Sequence, residues 1–79
     1  MREMKVRLGS FQDVRELVNL ASSVEYPVMI GDGEKAVNAK SIMCMFSLNF
    51  RRPALLLLDC DEDDFEAFRF KAARFEVVE

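Results

Sequence analysis

A run of four leucines, at residues 55–58, constrains the fold of this chain more than any other feature. The run is continuous, follows a proline and is far too short to span a membrane, so we interpret it as a β-strand. Because successive side chains of a strand point to opposite faces of a sheet, consecutive leucines place two apolar side chains on each face. If Leu56 and Leu58 face a layer of helices, Leu55 and Leu57 face the other side of the sheet.

Strand and helix patterns alternate along the rest of the chain. Strands are predicted at residues 4–8, 26–30, 35–39 and 54–60. Helices are predicted over residues 9–23, 41–49 and 61–75. The last residues, 74–79, fit either a fraying helix or an extended tail. This β-α-β-β-α-β-α order indicates an α+β open-faced sandwich, in which a four-stranded, mainly antiparallel sheet carries three helices on one face, in a single domain of residues 1–79.

Serines are placed to begin two of the helices. Ser10 is a good N-cap, with Asp13 three residues later resembling the acid of a capping box, and Ser41 precedes an apolar segment in the same way. Asn49 is expected to end the second helix, since asparagine tolerates the left-handed conformation that follows many helices. The first helix is expected to bury the residues at helical spacing, namely Phe11, Val14, Leu17, Val18 and Ala21.

Charge and composition exclude several classes of function. The net charge of −3 disfavours non-specific binding of nucleic acid, which needs a basic surface. The N-terminal segment lacks the apolar stretch of a signal peptide, so we expect a cytoplasmic protein without a membrane segment. Two cysteines form no CxxC pair, and the acidic residues 59–64 lack the spacing of a calcium loop. Because the chain has no histidine, we expect neither an enzyme nor a metal or cofactor site.

The middle of the chain resembles a known family. Residues 17–48 are similar, without gaps, to the corresponding region of HPr, the phosphocarrier protein of the bacterial sugar phosphotransferase system. The family has a hairpin there, followed by a segment of the type V-N-x-K-S-I-M that opens a short helix. Here that segment is VNAKSIM, residues 37–43. The resemblance implies the same fold that the pattern of strands and helices predicts.

The resemblance fails where the family carries its phosphorylated histidine. The family motif G-[IL]-H-A-R-P opens the first helix, and its arginine helps to hold the phosphate. Without gaps, Ser10 falls at the histidine position and Gln12 at the arginine position. The resemblance therefore implies a divergent member without phosphohistidine transfer, similar in that respect to the catabolite-repression HPr-like protein.

The retained segment implies a regulatory role instead. In relatives that lost the histidine, the serine at the position of Ser41 is phosphorylated by HPr kinase. Apolar residues after this serine then dock on a transcriptional regulator in carbon catabolite regulation. By position these would be Ile42, Met43 and Phe46. Lys40 places a positive charge beside the serine in the sequence.

Each of these residues also has a purely structural interpretation. The role of helix N-cap is sufficient to explain a serine at position 41, Ser41. The apolar cluster of residues 42–46 is more often core than interface, although four apolar side chains in five positions cannot all fit one buried stripe of a short helix. Met43 and its apolar neighbours could thus supply either packing or an adaptable binding surface.

The leucine run leaves a second function open. Met29, Leu55 and Leu57 would form an apolar patch on the sheet face without helices, which suggests a homodimer or another protein contact. The alternative is that lysine and arginine stems cover them. In the second function, a degenerate HPr fold serves as an oligomerisation or scaffold unit with no phosphate chemistry.

Overall fold

Four antiparallel strands form one sheet with helices packed on one of its faces, in a computed structural model that describes residues 1–77. The elements are β1 (Arg2–Val6), α1 (Phe11–Ser22), β2 (Val28–Gly31), β3 (Ala36–Asn38), α2 (Ile42–Met45), β4 (Ala54–Leu58), α3 (Glu62–Lys71) and a 3₁₀ turn (Ala73–Phe75). The predicted α+β fold and the order β-α-β-β-α-β-α are confirmed.

The leucine run forms an inner strand of the sheet. The strand order is β1-β4-β2-β3, and β4 pairs with β1 on one side and with β2 on the other. Leu56 and Leu58 are fully buried, whereas Leu55 is 38% exposed and Leu57 is half-buried. The predicted alternation of the four leucines is therefore present in the fold.

The core lies between the sheet and the helices. It includes Met4 and Val6 from β1, and Val28 and Ile30 from β2. The helices and the turns beside them add Val14, Leu17, Val18, Ala21, Met45, Phe68, Ala72 and Phe75. The core therefore lies on the inner face of the sheet, and none of the helices within residues 1–77 covers the outer face.

All four strands differ at their ends from the prediction: β3 and β4 are shorter, and β1 and β2 are shifted. β1 covers Arg2–Val6 and not residues 4–8, because its partners on β4 run from Leu58 to Ala54 and Arg7 already donates to the Phe75 carbonyl (2.8 Å). β2 begins at Val28, after Pro27, which has no N–H to donate to a neighbouring strand.

The helices differ from the prediction at their ends. Helical spacing predicts that Phe11 is buried, but the residue is 56% exposed because it starts α1, ahead of the first buried residue, Val14. α2 ends at Met45 with Phe46 as its C-cap, so the prediction that Asn49 ends this helix is wrong. The last predicted helix divides into α3 and the 3₁₀ turn.

The end of the chain is extended as far as the structure describes it. Glu76 forms an isolated bridge with Val6, and the Val77 N–H donates to the Lys5 carbonyl (2.9 Å). The outer edge of β1 is thereby partly paired. The rest of the predicted tail, residues 78–79, lies outside the described residues.

Candidate functional site

Ser10, at the predicted histidine position, caps α1. Its Oγ accepts from the Asp13 N–H (3.2 Å), and the Asp13 carboxylate accepts in turn from the Gly9 N–H (3.0 Å). The hydrogen bond from Gly9, helped by Arg74, holds the pKa of Asp13 below its usual range. Gln12, at the arginine position, donates to Glu16 on the next turn of the same helix (3.4 Å). Both residues at the motif positions therefore form hydrogen bonds within the first turns of α1.

Ser41 caps α2. Its Oγ accepts from the Cys44 N–H (3.4 Å), and its carbonyl accepts from the Met45 N–H (3.1 Å). The residue is half-buried. Ser41 therefore has the structural role that the pattern predicts, with part of its surface open to solvent.

Lys40 joins the start of α2 to the end of α1. Its ammonium donates to the Val24 carbonyl (2.8 Å), and its N–H donates to the Asn38 side chain (2.9 Å). Ser22, the last residue of α1, donates to the Lys40 carbonyl (3.5 Å). The lysine charge is thus used in packing the two helices together, a contact that its place beside Ser41 in the sequence does not indicate.

The residues after Ser41 divide between core and surface. Met45 is fully buried and Ile42 is half-buried against the core. Met43 is 77% exposed and Phe46 is 54% exposed. Of the three predicted docking residues, Met43 and Phe46 are therefore the ones that lie on the surface.

Phe46 stacks on a residue that the sequence analysis assigned to the core. The rings of Phe11 and Phe46 lie 5.5 Å apart between centroids, with 7° between their planes. Arg15, one turn along α1 from Phe11, places its guanidinium 6.0 Å from the Phe11 ring centroid. We call Phe11, Met43 and Phe46 the aromatic patch. No local signal identifies Phe11 as part of it, because helical spacing assigns that residue to the buried stripe.

A groove separates the start of α1 from the loop after α2. It has a volume of about 460 Å³, and its walls include Ser10, Phe11, Phe46, Phe50 and Arg51. The groove joins the predicted histidine position to the aromatic patch. Arg51 gives its wall a positive charge, beside three phenylalanine rings.

The Asp32 carboxylate is hydrogen-bonded to the loop after α2, which forms one wall of the groove. The residue is 9% exposed and accepts from the N–H groups of Glu34 (2.9 Å), Lys35 (3.1 Å) and Asn49 (3.0 Å). These backbone hydrogen bonds, the one from Asn49 foremost, lower the pKa of Asp32 to about 2. Asp32 therefore connects the β2–β3 hairpin to the loop beside the groove.

The predicted self-association residues lie on the outer face of the sheet. Met29 and Leu57 are register partners on β2 and β4, and Leu55 lies two residues from Leu57 on the same face. Leu55 is exposed, and the other two are half-buried. The structure brings these three together, and it places them away from the aromatic patch, which lies on the helices.

Within residues 1–77, the acidic and cysteine side chains form no cluster of three or more that could hold a metal ion. None of the helices in that part of the chain is long and apolar enough to cross a membrane.

Comparison with known proteins gives one family and one fold. Residues 13–75 match the family PTS-HPr, described as the PTS HPr component phosphorylation site. The crystal structure of HPr-C-His from Thermoanaerobacter tengcongensis superimposes with a TM-score of 0.75 and 23% sequence identity, covering 94% of this chain and 89% of that chain. At this identity, the structural likeness shows the fold. No curated protein matches the sequence.

Proposed function

This chain belongs to the HPr family of phosphocarrier proteins, and we propose that it acts within that family as a regulatory protein-interaction module, without phosphohistidine transfer. The family consists of carrier proteins and not of enzymes, so its members work through contacts with other proteins. In this proposal the chain retains the family's contacts with other proteins and has lost the transfer of phosphate through histidine.

The single observation that carries the proposal is the exposure of the aromatic patch beside Ser41. Phe11 and Phe46 touch each other, and exposed apolar residues favour a protein contact, because burying them against a partner removes apolar surface from water. Phe11 and Phe46 are large, and Met43 is flexible enough to fit partners of different shape. The patch begins two residues after a serine that resembles the family's regulatory site.

Phosphorylation of Ser41 would act on this patch through charge. A phosphoserine carries about two negative charges near neutral pH and three strong acceptor oxygens. At Ser41 it would stand at the start of α2, on the same short element as Met43 and Phe46. A partner with a basic group beside an apolar pocket would then bind the modified form more tightly.

The partners follow from the resemblance. HPr kinase would modify Ser41, and a transcriptional regulator would bind the modified surface in the cytoplasm of a bacterial cell, as part of carbon catabolite regulation. We propose no contact of this chain with nucleic acid, in keeping with its net charge of −3.

The test is incubation of the purified chain with HPr kinase and ATP, followed by mass spectrometry of its peptides. We expect a single phosphate on Ser41, and none on a Ser41→Ala variant. Ser10→Ala is the matched control, since it removes the other capping serine and should leave the modification unchanged. An unmodified Ser41, under conditions in which an authentic HPr is labelled, would overturn the regulatory switch.

A companion reaction tests the loss of carrier function. With the first enzyme of the phosphotransferase system and phosphoenolpyruvate, the chain should acquire no acid-labile phosphate, because it contains no histidine. Acid-labile label on this chain would show that another side chain has taken over the transfer.

A second candidate function is a self-associating scaffold without phosphate chemistry. One observation favours it: Met29, Leu55 and Leu57 form an apolar patch on the sheet face that carries no helix. Light scattering at high concentration should show self-association of the wild type and its loss in Leu55→Glu/Leu57→Glu. A wild type that is monomeric throughout would contradict this function and would leave the Ser41 proposal intact.

A further inference from the structure

The outer face of the sheet has a regular layout that follows from the strand register. Residues paired across antiparallel strands point to the same face, so the pairings assign eight side-chain positions to this side. They form two rows across β1, β4, β2 and β3. The first row is Glu3, Leu57, Met29 and Asn38, and the second row is Lys5, Leu55, Gly31 and Ala36. We call these eight positions the open face.

We propose that a second copy of this chain packs on the open face, related by a two-fold axis that lies in the interface and runs perpendicular to the strands. The inference rests on the second candidate function above and specifies its geometry. An axis in this direction keeps each strand over the same strand of the partner and exchanges the two rows. Each residue of the first row then meets the second-row residue of the same strand in the other copy, which lies two positions away in the sequence.

The exchange of rows pairs opposite charges at one edge of the interface. On β1, Glu3 of each copy meets Lys5 of the other, so the same ion pair forms twice. A two-fold axis parallel to the strands would place β1 over β3, with Glu3 against Asn38 and Lys5 against Ala36. Charge complementarity therefore selects the axis perpendicular to the strands.

The exchange of rows also brings side chains of complementary shape together on the inner strands. On β2, Met29 of each copy meets Gly31, which has no side chain on this face. Gly31 lies beside a depression of about 380 Å³, whose walls include Ala36, Leu55 and Leu57. A Cβ at Gly31 would come within 3.3 Å of the Lys35 carbonyl oxygen, so a side chain at this position would be crowded. The flexible Met29 side chain is suited to filling such a hollow.

On β4, the leucines complete the apolar centre of the contact. Leu57 of each copy meets Leu55 of the other, which removes the most exposed leucine of the chain from water. Apolar residues then occupy the two inner strands, and the charges lie at the β1 edge. This is the arrangement of a protein interface, with an apolar centre and a polar rim.

The size of the open face limits the strength of the dimer. Four strands about 4.8 Å apart, each three to five residues long at about 3.4 Å a residue, cover roughly 280 Å². A standard interface buries roughly 800 Å² on each partner. We therefore expect a weak dimer that forms at high protein concentration and dissociates on dilution.

Charge exchange on β1 tests the arrangement by sedimentation equilibrium. Glu3→Lys and Lys5→Glu should each weaken self-association at least about fivefold, because each variant faces like charges across both edge contacts. An equimolar mixture of the two variants should associate at least as tightly as the wild type, since lysines of one copy then face glutamates of the other. Glu66→Lys, which makes the same change of charge on α3, should leave self-association unchanged.

Cross-linking gives a second measurement that does not depend on charge. In a background with Cys44→Ser and Cys60→Ser, Leu55→Cys and Leu57→Cys should form a mixed disulfide dimer faster than either variant forms its own. The same preference is not expected with the axis parallel to the strands, which places Leu57 over Met29.

The outcomes separate the two levels of the proposal. A dimer that shows neither charge rescue nor mixed cross-linking would overturn this arrangement and leave the self-association function standing. A wild type that remains monomeric up to millimolar concentration would overturn both. Neither result bears on the phosphorylation of Ser41, which is measured separately.

Discussion

The ring of Phe11 stacks on the ring of Phe46, with 5.5 Å between centroids and 7° between planes. The contact joins the first residue of α1 to the C-cap of α2, and so connects the predicted histidine position to the surface that follows Ser41. Ser10, which the resemblance aligns with the family's histidine, is thus a helix cap beside exposed aromatic rings.

The stack should be measurable as a coupling between the two residues. In a double-mutant cycle of Phe11→Ala and Phe46→Ala, we expect a coupling of about 0.5–1.5 kcal/mol in the free energy of unfolding, because offset aromatic pairs add this much beyond burial. Urea denaturation supplies the four values. Phe70→Ala, which removes an exposed ring from α3, is the control and should show no coupling to Phe11. Additive single changes would mean that the stack does not persist in solution.

Ser41 allows capping and modification to be separated. Ser41→Ala should lower the free energy of unfolding by about 1 kcal/mol, because the Cys44 N–H loses its acceptor. Ser41→Asn keeps an N-cap acceptor and should retain most of that stability, yet it cannot be phosphorylated at this position. Binding of a partner that requires the phosphate should be lost equally in both variants. If partner binding instead follows stability across the two, Ser41 acts as a cap and not as a switch.

The Asp32 carboxylate should make the free energy of unfolding depend on pH in the acidic range. Hydrogen bonds from Asn49, Glu34 and Lys35 lower its pKa to about 2, from an ordinary value of 3.8. A lowered pKa means that the folded state favours the charged form, so this stabilisation is complete above about pH 4 and is lost as the pH falls towards 2. Denaturation midpoints between pH 2 and pH 7 measure it.

Asp32→Asn is the matched variant for that measurement. It should be less stable than the wild type at pH 7, and the difference between the two should shrink as the pH falls below 4. Because Asp13 also has a lowered pKa, both proteins should retain some loss of stability in acid. A difference that stays constant across the whole range would show that the Asp32 charge contributes nothing.

The leucine run should show alternating sensitivity to truncation. Leu56→Ala removes a fully buried side chain and should cost about 2–5 kcal/mol in the free energy of unfolding. Leu55→Ala, at the neighbouring exposed position, should cost the monomer less than about 1 kcal/mol. Thermal or urea denaturation at low protein concentration, where the monomer dominates, compares the two. Equal costs would contradict the assignment of these leucines to opposite faces.

The element order, the alternation of residues 55–58 and the capping serines could all be read from the sequence. Each is a local property: side chains two apart share a face of a strand, and a capping hydroxyl reaches an N–H three residues away. The resemblance to HPr, carried by residues 37–43, agreed with these local patterns and with the family that residues 13–75 match.

Contacts between distant residues could not be predicted in this way. Helical spacing places Phe11 in the core, whereas in the structure its ring is exposed at the start of α1 and stacks on Phe46 of the distant α2 segment. The loop after α2 likewise depends on a distant contact, because the Asp32 carboxylate accepts from the Asn49 N–H, 17 residues away.

The open face shows the same division. The sequence by itself determined that Leu55 and Leu57 share one face and Leu56 and Leu58 the other, because this follows from alternation within one strand. Only the tertiary structure decided that Glu3 and Lys5 flank them on one side and Gly31 on the other, since strand order and register are set by pairing between distant segments.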